Sequence, residues 1–400
     1  MSEERPTGPV RVTMYQVGFG DCFMLSFPYQ DRDRHVLIDC GTSSNKADHM
    51  ADVAAAITED CGGHLDAIVA THRHSDHLSA FGLKDAGATL FELRPDLVVQ
   101  PWTEHPEAEE QASQAPSTFS LAQSLTLGQE YSEVLLRRGE ELLPGASSRR
   151  LRYIQDLSKL NISNKRAVAR LQEIGDRHAW VHAGGESGLA DLLPGLTVTV
   201  LGPPTLEQCG EMKTQARWDE AEYWKLQGGA GLSPDARALF PDADTVDVEE
   251  APSYVRWVTR KLDALHVADA LRIVTRLNRA LNNTSVILLF EVGETALLFP
   301  GDAQLESWRY VLEQQQLRER LARVRLYKVG HHGSTNATPR SLWELFEYRG
   351  TQDDRLTALL STEEGEHPGV PRESLVTALA KETDLHSTEH QDQLRRMVEL

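Results

Sequence analysis

The sequence predicts an α/β fold in which two strand-rich stretches, one near each end of the chain, flank a long and mainly helical middle. Three observations carry this. Short apolar runs of strand length recur before residue 102 and after residue 276, Gly and Pro break them into turns, and between them the apolar spacing turns helical. The 400 residues exceed one minimal domain and divide on this reading into 1–102, 103–275 and 276–400. No internal repeat of fixed period is present.

Val10–Tyr15 alternates, Cys22–Phe27 is mostly apolar, and His35–Asp39 contains the run Val36, Leu37, Ile38; all three read as strands. Gly18, Gly20 and Asp21 supply a tight connection between the first two. Ala47–Thr58 has helical spacing through Met50, Val53, Ala54 and Ile57, and Cys61-Gly62-Gly63 stops it. Leu65–Ala70 is a strand of buried type, followed at once by a loop dense in histidine. Leu97–Gln100 is a further strand ending at Pro101-Trp102.

From residue 104 to 117 the chain is acidic and rich in Ala, Pro and Gln, which reads as an exposed connection. Residues 118–176 read as helical, with Ser163 as an N-cap before Ala167, Val168, Leu171 and Ile174. Core strands return at Trp180–Val181 and Leu196–Leu201, the latter closed by Gly202-Pro203-Pro204. Residues 205–250 show no assignable pattern, and Pro252–Leu281 is an amphipathic helix. Val286–Glu291 and Ala296–Phe299 are strands joined at Gly293. Leu305–Arg323 reads as one helix, Arg325–Val329 and Leu356–Ser361 as strands, and Glu373–Lys381 as a helix.

Composition narrows the function classes. A hydrophobic share of 40% supplies ample core material, and the net charge of −19 argues against a broad basic surface for nucleic acid or anionic membrane. A local cationic site stays compatible with that sum, because a bound metal is not counted in it. No apolar run reaches the length of a membrane span, and Met1 to Val10 lack the basic-then-apolar plan of a signal peptide. Cys22, Cys40, Cys61 and Cys209 form no CxxC pair and read as reduced thiols. The expectation is a cytoplasmic protein with no membrane partner.

The chemistry concentrates in Thr71-His72-Arg73-His74-Ser75-Asp76-His77. The stretch follows a strand directly, so extended backbone places His72 and His74 on one side. A turn at Ser75 then presents Asp76 and His77 nearby. Three imidazoles and a carboxylate are borderline ligands suited to zinc, and also to manganese or iron. No GxSxG pattern or nucleophilic-cysteine arrangement competes with this centre.

Ordered landmarks in both strand-rich stretches give the chain a resemblance to the metallo-β-lactamase fold superfamily. They are Val17-Gly18-Phe19-Gly20-Asp21, Leu37-Ile38-Asp39-Cys40-Gly41, the HxHxDH loop, and Phe299-Pro300-Gly301-Asp302. His331-His332-Gly333-Ser334, with Asn282-Asn283-Thr284-Ser285 and His367-Pro368, is similar to the competence-type branch, typified by the hydrolase domain of DNA-uptake channel proteins and by phosphorylcholine esterases. The resemblance implies a four-layer αββα sandwich carrying a long, mainly helical insertion. It implies two divalent ions, Zn²⁺ as the expected metal and Mn²⁺ as the alternative. His72 and His74 would hold one, Asp76 and His77 the other, with Asp302 between them. Of His331 and His332, His331 is expected as the remaining ligand and His332 as the group facing substrate.

Asp39 is expected to fix the tautomer of a ligand histidine, or else to cap a turn near Gly41. Where many members have a further histidine, this chain has Asn282 and Asn283. They suit substrate binding, and equally capping of the preceding helix. His182 is a substitute ligand or a structural residue. Ser334 is expected to bind a substrate oxygen or cap the next segment, and His367 to donate a proton or lie in a solvated loop.

Asp76, His332 and His367 are thus the expected catalytic groups, and an anionic phosphodiester, nucleic acid or small molecule, the expected substrate. Hydrolysis of a small ester, lactone or lactam, and a metal-binding module that docks a protein partner through the insertion, are the alternatives.

Overall fold

The computed structural model describes residues 5–44, 47–105, 121–143, 145–161, 164–205, 207–209, 253–334, 337–363, 365–366 and 369–400. Strand alternation decides its architecture. The first sheet has the order β13-β1-β2-β3-β4-β5-β6, from β1 (Arg11–Tyr15), β2 (Cys22–Pro28), β3 (Asp33–Cys40), β4 (Ala67–Val69), β5 (Leu97–Pro101), β6 (Arg177–Val181) and β13 (Arg395–Glu399). The second has the order β12-β11-β10-β9-β8-β7, from β7 (Thr197–Gly202), β8 (Ile287–Val292), β9 (Thr295–Phe299), β10 (Val324–Lys328), β11 (Thr357–Leu360) and β12 (Asp384–Ser387).

Every second residue of these strands enters one shared core: Phe23, Leu25 and Phe27 of β2, Val36 and Ile38 of β3, Leu288 and Phe290 of β8, Leu297 and Phe299 of β9. The intervening residues face outward onto helices. Met24, Leu37 and Ile68 pack with α1 (Ala47–Asp60), α2 (Ser75–Gly82), α3 (Asp85–Glu92) and α6 (Lys165–Glu173). On the other sheet Ile287, Leu289 and Leu298 pack with α9 (Leu305–Leu312), α10 (Gln315–Ala322), α11 (Arg340–Trp343) and α12 (Glu373–Glu382). The result is the expected αββα sandwich. Trimming one of these outward residues, Ile68→Val, is expected to lower stability by about 1 kcal/mol. A urea transition with a reduced midpoint and unchanged slope would check it.

The chain forms two compact units, 1–108 with 163–212 and 281–400, and 109–162 with 213–280. Within the second, α4 (Leu121–Leu142), α5 (Ser148–Asn161) and α8 (Ser253–Asn282, whose last residues pass into the first unit) share a small core of Leu135, Ile154, Val267, Ala270 and Val274. Residues 163–212 lie in the sandwich unit, to which they bring α6, β6, the short α7 (Leu189–Leu192) and β7.

Several local expectations differ from what is observed. Asn164 is the N-cap of α6, accepting from the Ala167 amide at 3.2 Å; Ser163 lies outside the described residues. Leu305–Arg323 is two helices, broken where Gln314 turns extended (φ −94°, ψ 106°). β12 and β13 close the sheets at the C-terminus, β13 pairing antiparallel with β1. The four cysteines are free and buried. No helix among the described residues is long and apolar enough to cross a membrane.

Candidate metal centre

β3, β4, β9 and β10 end at one edge of the sandwich, and the residues just past those ends meet there. After β4 the backbone is pinned to both sheets: Ala70 N donates to Val99 O and Val286 N donates to Thr71 O, each at 2.9 Å. His72 and His74 follow, and α2 begins at Ser75, which places Asp76 and His77 in its first turn. The β1–β2 loop lies against that turn so closely that a Cβ on Gly20 would stand 2.2 Å from Gly41 O and 2.6 Å from Asp76 O. Gly301 is held as tightly. Its φ is +54°, and a Cβ would meet Thr71 and Ser285 at 3.0 Å, so glycine is needed to deliver Asp302.

His331 and His332 occupy successive left-handed positions, φ 46° and 51°, in a tight turn after β10. Such backbone costs about 1–2 kcal/mol per non-glycine residue. Hydrogen bonds offset it: His331 N to Gly301 O at 3.3 Å, Ser334 N to His331 O at 2.9 Å, and His332 Nδ1 to Ser361 O at 3.0 Å.

Two pairs of donor atoms flank Asp302. His72 Nε2 is 2.9 Å from His74 Nδ1, and His332 Nε2 is 3.2 Å from Asp76 Oδ2. Asp302 Oδ2 stands 3.2 Å from His77 Nε2, 3.9 Å from both His72 Nε2 and His332 Nε2, and 3.7 Å from His331 Nε2. Asp76, His77, Asp302 and His332 each bring a ligand atom within 4.8 Å of the others, and all four are buried. Of the two adjacent histidines, His332 belongs to this buried group, while His331 Nε2 also lies near Asp302. His332 is buried within the group, whereas the His331 side chain retains 22% exposure and sits between Asn282 Nδ2 at 3.3 Å and Ser334 Oγ at 2.9 Å.

The donor set fits a divalent ion. Atoms about 2.1 Å from a tetrahedral ion stand about 3.4 Å from one another, and the pairs above cluster around that spacing. Among the described residues, Asp76 Oδ1, His77 Nε2 and both Asp302 oxygens are buried without a hydrogen-bond partner, as is Asn282 Oδ1. Lone pairs left so are costly unless a cation takes them.

Asp39, at φ 56° past the end of β3, sets the tautomers. Its Oδ2 accepts from His77 Nδ1 at 2.7 Å and from Thr71 Oγ1 at 2.6 Å, while Oδ1 accepts from Thr71 N at 2.7 Å. Thr71 Oγ1 in turn accepts from His72 Nδ1 at 3.2 Å. One carboxylate thereby leaves the Nε2 lone pairs of both His72 and His77 facing the centre.

The same carboxylates set the charge of the imidazoles. Burial, with the charges of His77 and His74, pushes the His72 pKa well down, and burial takes His74 down to about 4. Burial opposes charge on His77 and His332 too, but Asp302 and Asp39 outweigh it at His77, and Asp21, Asp302 and Asp76 at His332, so both are raised. Asp76 and Asp302 are held below the usual carboxylate range, against burial, by the surrounding histidines.

Two sequence-expected residues have their hydrogen-bond partners elsewhere. Asn283 is turned toward the start of α9: its Oδ1 accepts from Gln304 N at 3.1 Å and Ser307 Oγ at 3.3 Å, and its Nδ2 donates to Glu306 at 3.1 Å. His182 Nδ1 donates to Ala183 O at 3.0 Å. His367 lies outside the described residues. Two partnerships escaped sequence reasoning. Arg73, between the ligand histidines, is clamped by Glu104 through two 2.7 Å bonds. Lys328, 2% exposed, ion-pairs with Asp21 and donates to Gly301 O at 3.3 Å. A lysine ending an apolar strand just before Val329-Gly330 was the available signal.

Residues 16–133 match the Metallo-beta-lactamase superfamily. No curated protein matches the chain. The two-sheet sandwich is consistent with that superfamily, which consists mostly of hydrolytic enzymes, and together with the buried ligand cluster the match suggests a metal-dependent hydrolase.

Proposed function

We propose that the protein hydrolyses phosphodiester bonds with two divalent ions, Zn²⁺ or Mn²⁺, one held by His72, His74 and Asp302 and the other by Asp76, His77, Asp302 and His332. The observation that carries the metal assignment is the gathering of buried ligand atoms from Asp76, His77, Asp302 and His332 within 4.8 Å of one another. Bound divalent ions supply Lewis acidity and lower the pKa of water toward about 7. The chain's own residues supply the rest. Asp39 holds His72 and His77 in the ligating tautomer, and Lys328 neutralises the buried Asp21.

At the rim, His331 is the group with solvent access. Burial lowers its pKa, so the imidazole is neutral near pH 7, and Nε2, which faces the Asn282 amide donor, serves as a proton acceptor. Asn282 and Ser334 orient that ring and offer polar atoms to a non-bridging phosphoryl oxygen. The substrate class rests on the Asn282-Asn283-Thr284-Ser285 and His331-His332-Gly333-Ser334 pairing, which resembles the competence-type branch.

The net charge of −19 favours a second reading, a small ester, lactone or lactam substrate, over a long polyanion. Protein stripped by chelator and reconstituted with Zn²⁺, Mn²⁺ or Mg²⁺ is expected to turn over a chromogenic phosphodiester faster than a lactone panel. No phosphodiester turnover with any of the three ions would rule out the substrate class.

A further inference from the structure

A second group of buried ligand atoms lies directly behind the first. Asp21, Asp39 and His77 bring donor atoms within 4.8 Å of one another. His77 belongs to both groups, its Nε2 facing Asp302 and its Nδ1 standing 2.7 Å from Asp39 Oδ2 and 3.7 Å from Asp21 Oδ2. By composition the rear group, two carboxylates and an imidazole, offers donor types that also suit a divalent ion, with one residue fewer than the front one.

What separates them is Lys328. Leu326 faces the core between the sheets, and Lys328, two residues on, keeps that face at the strand end. Its ammonium pairs with Asp21, donates to Gly301 O at 3.3 Å and stands 3.8 Å from Asp302 Oδ1. Lysine carries a compact charge and no lone pair while protonated, so it neutralises Asp21 without ligating anything.

We propose that Lys328 is a built-in cation which occupies the Asp21 side of the centre and confines divalent ions to the Asp76–His77–Asp302–His332 group. It is a positioning residue: it keeps an ion off His77 Nδ1, and so preserves the Asp39 hydrogen bond that turns Nε2 forward. The inference rests on the reading of the front group as a metal centre.

The test compares wild type, Lys328→Met and the double variant Asp21→Asn/Lys328→Met as full-length protein, stripped by chelator and reconstituted with Zn²⁺. Elemental analysis is expected to find one more Zn²⁺ per chain in Lys328→Met than in wild type, and the wild-type number in the double variant. Zn²⁺ should also raise the melting temperature of Lys328→Met more than that of wild type, because the ion replaces the missing ammonium. Equal Zn²⁺ content in Lys328→Met and wild type would overturn the inference while leaving the front centre intact. So would an extra ion that survives in the double variant. Lys328→Met that stays unfolded even with Zn²⁺ also overturns it, since Asp21 would then accept no ion in place of the ammonium. A wild type that takes up no Zn²⁺ sinks both readings together.

Discussion

Alanine at Asp302 is expected to lower metal-dependent turnover by about three orders of magnitude and to reduce the metal content of the protein. Lewis-acid and nucleophile assistance is worth several kcal/mol of barrier, and each 1.36 kcal/mol is tenfold in rate. Asp302 is the residue through which that assistance is most exposed to loss. Its Oδ2 lies within 3.9 Å of nitrogens from His72, His77, His331 and His332, so it stands between the two donor pairs. The substitution should leave the fold in place. The turn is held by the Asp302 backbone amide to Ser285 Oγ at 3.1 Å and by the Gly301 carbonyl, neither of which the substitution removes. Circular dichroism close to wild type, with turnover and metal content both collapsed, is the expected pair of results. Turnover within tenfold of wild type would show that hydrolysis does not pass through this centre.

The sandwich was legible because strand alternation survives in the sequence: Phe23, Leu25 and Phe27 on one face and Cys22 and Met24 on the other assign themselves. β13 was not legible, since Arg395-Arg396-Met397-Val398-Glu399 has no apolar pattern and owes its strand to pairing with β1, some 380 residues earlier in the chain. The histidine loop and Asp302 were readable from residue type and from their place after strands. The placing of the His332 ring in the buried group was not, because it depends on two successive left-handed residues that ordinary strand alternation does not anticipate. Asn283 misled for a related reason. An amide near a helix end suits a ligand, a cap or a brace, and only the positions of Gln304 and Ser307 decide for the brace. Lys328 ends β10 of one sheet and Asp21 lies in the β1–β2 connection of the other, and no local pattern couples them.

Asparagine at Asp39 is expected to weaken metal binding about 10- to 100-fold while changing the ligand set not at all. Asn tolerates the left-handed backbone at this position, φ 56°, so the chain trace should persist. The hydrogen bonds cannot. Asp39 accepts three of them, from Thr71 N, Thr71 Oγ1 and His77 Nδ1. If the asparagine oxygen keeps the Thr71 amide, its NH₂ group faces His77 Nδ1 and drives the proton to Nε2, where the lone pair was aimed at the centre. If the amide flips, NH₂ opposes the Thr71 N–H and loosens the segment that carries His72. Either outcome removes a ligating tautomer, and the first also breaks the relay by which Thr71 orients His72. Chelator-competition titration with Zn²⁺ reads the affinity directly, and Asp39→Glu, which keeps the charge but moves the oxygens, separates charge from geometry. An Asp39→Asn variant with wild-type affinity would mean that the carboxylate caps the turn near Gly41 and leaves the imidazoles to find their own tautomers.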